Sequence, residues 1–83
     1  MAIYQVLYWK DIPAQVRVSA DGRRFQSRQM PERFQQEIDA RAMREGLAGT
    51  EAYLEQWRWS EKRERNLSPD ELLDTVVREL ENL

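Results

Sequence analysis

The sequence predicts an α+β domain, a small, mostly antiparallel sheet of three or four strands with helices packed on one face. Three observations carry this. Residues 2–20 alternate with the two-residue period of β-strands. Two later stretches place apolar residues at helical spacing behind recognisable caps. The 83 residues, 41% hydrophobic and 34% charged, suffice for a single domain spanning 1–83 with one core.

Residues 2–10 read as the first strand. Ile3, Leu7 and Trp9 fall on one side, and Tyr4, Val6 and Tyr8 on the other. Apolar or aromatic residues on both sides mark a central strand. Lys10-Asp11-Ile12-Pro13 breaks the pattern and suits a short reversal. In residues 14–20, Ala14, Val16, Val18 and Ala20 share one side; Gln15, Arg17 and Ser19 share the other, wet side. Asp21-Gly22 then predicts a two-residue hairpin. Arg23 to Ser27 form its return strand, polar enough to lie at an edge.

Pro31 and Glu32 suit the first turn of a helix. Phe34, Ile38, Ala42 and Met43 recur at helical spacing, and Gly46 with Leu47 closes the C-terminus. Thr50 caps a second, short helix to about Gln56, carrying Tyr53 and Leu54. A strand follows from about Trp57, since Trp57 and Trp59 would then share a side. The charge run Glu61–Asn66 reads as a solvated strand end and loop.

The last helix has the fullest set of signals. Ser68 is its N-cap, Pro69 its first residue and Glu71 the partner in a capping box; Leu67 and Leu72 occupy the hydrophobic-staple positions. Leu72, Leu73, Val76, Val77, Leu80 and Leu83 form one apolar stripe, and Asp74 can pair with Arg78 one turn on. The predicted order is β-β-(β)-α-α-β-α.

Composition narrows the chemistry. The chain contains neither histidine nor cysteine. It therefore builds no Ser-His-Asp or Cys-His catalytic group, no zinc finger and no cysteine-ligated cluster. The three glycines stand apart, so no phosphate loop forms, and no cofactor is expected. The opening lacks a basic signal-peptide region, and no apolar run reaches the roughly 18 residues of a membrane span. These features, with the missing cysteines, predict a cytoplasmic protein that does not enter membranes.

Net charge is −2, which argues against nucleic acid and anionic lipid as partners. The distribution is uneven. Residues 1–33 carry six basic and three acidic side chains, and residues 34–83 carry seven and twelve.

Candidate functional residues follow from a shortage of cover. The helices can shelter one side of the sheet, whereas the first strand is aromatic on both. An exposed aromatic sheet face is a binding or dimer surface. Tyr4, Tyr8, Lys10, Arg17 and Arg58 are its predicted members. The expected function is a non-enzymatic accessory domain that binds another protein or itself. Two alternatives stand beside it. Arg17, Arg23, Arg24, Arg28 and Arg33 crowd the hairpin, and arginines beside aromatics can contact RNA or a nucleotide. Lys10 and Asp11 could transfer protons in an accessory subunit of an enzyme if burial shifted them. The carboxylate pairs Glu51/Glu55 and Asp70/Asp74 are the generic pairs of acidic helices.

The opening Ile3-Tyr4-Gln5-Val6-Leu7-Tyr8-Trp9-Lys10-Asp11-Ile12-Pro13, followed by Ala14-Gln15-Val16, resembles that of a small bacterial family, the virulence factor domain. Pro31-Glu32-Arg33-Phe34, Gly49-Thr50-Glu51-Ala52-Tyr53-Leu54 and Trp57-Arg58-Trp59 are similar to its later segments. The resemblance spans nearly the whole chain. It implies a domain that occurs alone or joined to helical repeats and a module like the N-terminal part of iron–sulfur scaffold proteins. It implies no catalytic or binding residues, and any iron–sulfur link would be indirect without a cysteine ligand.

Overall fold

A computed structural model describes residues 1–82. Strands β1 (Ala2–Trp9), β2 (Ile12–Ser19) and β3 (Gln26–Gln29) precede helices α1 (Glu32–Arg44) and α2 (Glu51–Glu55). Strands β4 (Trp57–Trp59) and β5 (Arg63–Arg65) and helix α3 (Pro69–Glu81) follow. The sheet is antiparallel, in the order β3-β2-β1-β4, with β5 also on β1. This is the predicted α+β class and order, with one strand more.

The β1–β2 reversal is a tight turn at Lys10-Asp11. Lys10 sits at φ 56°, the left-handed region that costs a side chain about 1–2 kcal/mol. Ion pairs hold the turn against α1. Lys10 Nζ reaches Glu45 at 2.5 Å, and Arg41 reaches Asp11 at 2.5 Å and Glu45 at 2.9 Å. Beyond the turn, the register shifts between Leu7 and Tyr8, which pair with Gln15 and Pro13, so Ala14 is the extra residue of a bulge. Pro13 is tolerated inside β2 because pairing with β3 begins only at Gln15.

Asp21-Gly22 does not make a two-residue hairpin. Six residues, 20–25, separate β2 from β3, and the return strand is Gln26–Gln29. Side chains organise this wider loop. Ser19 Oγ accepts the Gly22 N–H at 2.7 Å, and the Asp21 carboxylate accepts the N–H groups of Arg23 and Arg24 at 2.8 and 3.2 Å. Those bonds hold the Asp21 carboxyl below its ordinary pKa. The loop folds back on the sheet, bringing Gly22 against Ile3.

Helix α1 starts at Glu32, with Pro31 at the N-cap position. It ends in a Schellman motif, as Gly46 N–H bonds the Met43 carbonyl and Leu47 N–H bonds that of Ala42. Its buried stripe is narrower than expected, because Met43 is 73% exposed. In α2, Thr50 Oγ1 accepts the Tyr53 N–H. In α3, Ser68 Oγ accepts the Glu71 N–H and donates to the Glu71 carboxylate. Asp74 pairs with Arg28 of β3 rather than with Arg78. Leu83, the last residue of the expected stripe, lies outside the described residues.

Two clusters form the core. Leu72, Leu73, Val76 and Val77 of α3 cover Tyr4, Val6, Val16 and Val18. Trp9, Ile12, Ile38 and Ala42 form the second cluster, flanked by Tyr53 and Trp57; Phe34 touches both. Trp9 Nε1 donates to the Tyr53 carbonyl at 3.0 Å, so its polar atom is satisfied within an apolar cluster. Among the described residues, no helix is long and apolar enough to cross a membrane.

Candidate functional site

Strand register decides which side of the sheet is covered. Tyr4 lies opposite Val18 and Val6 opposite Val16, so two adjacent strands present apolar side chains on the same side. Helix α3 packs there. The other side pairs Ile3 with Ser19, Gln5 with Arg17, and Leu7 with both Gln15 and Trp59. Ile3 and Leu7 are half-buried and belong to neither core cluster. Further along the same side, Trp9 and Trp57 are covered by Ile38 and Ala42 of α1 and Tyr53 of α2, so only the part from Ile3 to Leu7 is free of helices.

Arg17 stands on this helix-free part of the sheet, opposite Gln5. Its guanidinium carbon lies 4.4 Å from the Phe25 ring centre and 4.1 Å from that of Trp59. These are stacking distances, at which a cation is attracted to an aromatic face. Gln5 Oε1 accepts from Arg17 Nε at 3.1 Å and from Nη2 at 2.6 Å. The Gln5 amide is fixed in turn, because its Nε2 donates to the Ser60 carbonyl at 2.9 Å. Ser60 also mends the sheet where β4 gives way to β5. Its Oγ accepts the Val6 N–H at 2.9 Å, and its own N–H bonds the Val6 carbonyl at 2.8 Å. The residues that orient Arg17 therefore come from both sides of the central strand. Trp59 is 38% exposed, whereas Gln5 beneath is 8% exposed.

The five residues expected to share one surface are divided. Tyr4 is buried under α3, with Arg65 over its ring at 5.2 Å. Tyr8 is half-buried on that same side, and Arg58, opposite it in the register, is exposed there. Lys10 sits at the turn. Arg17 alone is on the helix-free part of the sheet. The correction has a physical cause: α3 covers the side where Val16 and Val18 extend the apolar surface of β1, which leaves the polar side of β2 open.

The hairpin arginines do not form one patch. Arg28 pairs with Asp74, and Arg33 lies over Phe34 and donates to the Glu81 carbonyl; Arg23 and Arg24 are exposed in the loop. The Lys10-Asp11 pair is absorbed into the network with α1. There, hydrogen bonds from Lys10 and then Arg41 hold the Glu45 carboxyl below its ordinary range. Near Tyr4, Arg65 grips Glu79 through two hydrogen bonds and lowers that carboxyl too.

Gln5, Phe25, Trp59 and Ser60 were not among the expected site residues. Gln5 carried a signal, as the one polar residue in the run Ile3–Trp9. Phe25 and Ser60 carried none, because loop closure and a side-chain bond to the backbone leave no periodic trace.

A family profile described as virulence factor matches residues 7–83. The chain belongs to the virulence factor family. Within this virulence factor domain, Arg17, Phe25 and Trp59 fall inside the matched span and Gln5 precedes it. No curated protein and no solved structure gives a significant match to it.

Proposed function

We propose that this virulence factor domain is a non-enzymatic docking module in which the helix-free part of the sheet, from Ile3 to Leu7, receives another protein. The observation that carries the reading is the Phe25–Arg17–Trp59 stack, flanked by Ile3 and Leu7, on a part of the sheet that no helix covers. Tryptophan and arginine dominate the energetics of protein interfaces, and half-buried aliphatics beside them supply area. The displaced carboxylates Asp21, Glu45 and Glu79 each owe their shift to a turn or an ion pair, which favours binding over catalysis. The cysteine-free composition suits a reducing compartment such as the cytoplasm.

Self-association through this face is disfavoured. A two-fold dimer uses the same patch on both copies, so Arg17 at its centre would meet the partner's own cation. The area points the same way. Four strands spaced by about 4.8 Å and roughly 25 Å long give a whole side of only some 400–500 Å², part of it under α1 and α2, below the roughly 800 Å² per partner of a standard interface. A partner that also grips the rim, or binds transiently, fits better.

Leu7→Asp tests the reading. A partner crosslinked to the wild-type chain in cells should be lost from Leu7→Asp, with far-UV circular dichroism unchanged, and retained by Arg58→Glu on the opposite side. Retention by Leu7→Asp and loss from Arg58→Glu would move the interface to the α3 side and overturn the proposal.

A further inference from the structure

We infer that Arg17 recognises a carboxylate carried by the docked protein, an inference that rests on the docking reading above. A guanidinium has five N–H donors in a rigid fork. Gln5 Oε1 engages the Nε and Nη2 side of that fork. Of the three remaining donors, one on Nη1 and one on Nη2 form the end-on edge, which matches the two oxygens of a carboxylate. Among the described residues, the ion pairs engage Lys10, Arg28, Arg41 and Arg65, and none engages Arg17.

The orienting residue is decisive. Gln5 is an amide, which holds the guanidinium in place without neutralising it. A carboxylate at position 5 would consume the charge, and it could not donate to the Ser60 carbonyl. The Ser60 carbonyl fixes the amide, so the fork is set before a ligand arrives, and pre-organisation lowers the entropic cost of binding. Phe25 and Trp59 flank the cation and shield it from water, which strengthens a charge-assisted hydrogen bond.

The surroundings define the ligand further. Ile3 and Leu7 lie beside Gln5 on the same side of β1, one on each flank. Glu64, opposite Ile3, is acidic and repels a second carboxylate there. The matching segment presents one aspartate or glutamate between aliphatic side chains. Nucleic-acid phosphate is a poorer match, because Arg28 and Arg33 are engaged elsewhere and the chain is net acidic.

NMR on the full chain tests this with two acetylated, amidated peptides at millimolar concentration. One carries a single glutamate between leucines; the other carries glutamine instead. The glutamate peptide should shift the Arg17 Nε–H and Trp59 Nε1–H resonances saturably, with at least tenfold higher affinity than the glutamine peptide. Arg17→Lys, which keeps the charge and loses the fork, should reduce that preference about tenfold. Gln5→Glu, which neutralises Arg17 and loses the bond to the Ser60 carbonyl, should abolish the preference in a chain whose far-UV circular dichroism is unchanged, so the test does not rest on Arg17 variants alone. Equal affinity for the two peptides overturns the inference. Shifts with oligouridylate but not with the glutamate peptide overturn it as well, in favour of phosphate. The crosslinked partner separates the two proposals. Loss from Leu7→Asp with full retention by Arg17→Lys and Gln5→Glu refutes carboxylate recognition alone, whereas retention by all three refutes docking.

Discussion

Ser60→Ala removes one oxygen from the seam between β4 and β5, and its cost can be worked out from the bonds that oxygen makes. Ser60 Oγ accepts the N–H of Val6, a residue only 3% exposed in the central strand. It also donates to the Glu61 carbonyl at 3.2 Å. Alanine leaves the Val6 N–H without an acceptor, and an orphaned buried donor costs about 1–3 kcal/mol. The exposed bond to Glu61 adds little. A loss of ~2 kcal/mol is large for this chain, because 83 residues at about 0.05–0.15 kcal/mol each give a total stability of some 4–12 kcal/mol. The same loss lowers Tm by roughly 8–16 °C. Urea unfolding followed by tryptophan fluorescence measures it, with Ser27→Ala on the exposed strand β3 as a control expected within about 0.5 kcal/mol. A cost for Ser60→Ala below about 0.5 kcal/mol, with an unchanged m-value, would show that water reaches the Val6 amide and would refute the reasoning.

Ile38→Ala, at a fully buried site in the second cluster, should cost about 2–5 kcal/mol in urea; a value near zero would mean that α1 does not anchor the sheet. Acid should destabilise the fold, with a direction fixed by Asp21, Glu45 and Glu79. Each carboxyl titrates lower folded than unfolded, so the folded chain binds fewer protons; the stabilisation is complete above the ordinary values of 3.8 and 4.5 and is lost as pH falls below them. The urea midpoint should therefore drop between about pH 6 and pH 3, and Glu79→Gln should flatten part of that drop.

The sequence was informative wherever one residue's role was local. Ser68, Pro69 and Glu71 announce α3, Gly46 and Leu47 announce the end of α1, and the alternation of Val16 and Val18 announces β2. Failures came where a role depended on distant residues. Asp21-Gly22 looks like a tight hairpin, but Ser19 and Asp21 use their side chains to stabilise a wider loop. Arg63–Arg65 has no apolar residue and no strand period, and pairs only because β1 offers it an edge. For the site, the open face was legible in principle. Aligning Tyr4 with Val18 and Val6 with Val16 shows which side is greasier and hence where α3 must land. Without that register, Tyr4 and Tyr8 looked as exposed as Arg17. Asp74 chose Arg28 over Arg78 because tertiary packing set β3 beside α3, a neighbour that helical spacing cannot reveal.

The β1 edge imposes an order on self-assembly. One side of β1 is joined by a hairpin closed at residues 10–11, whereas the other meets residues some 55 positions later in the chain. Local loops close first, and distant ones wait on the entropy of the intervening polymer. During synthesis, Ile-Tyr-Gln-Val-Leu-Tyr-Trp therefore emerges with one flank of its amide ladder vacant until α1 and α2 have been made. A naked, uncharged, aromatic strand is the kind of segment that nucleates cross-β association between nascent chains. Chaperone demand should peak in that interval and fall once Ser60 arrives to close the gap.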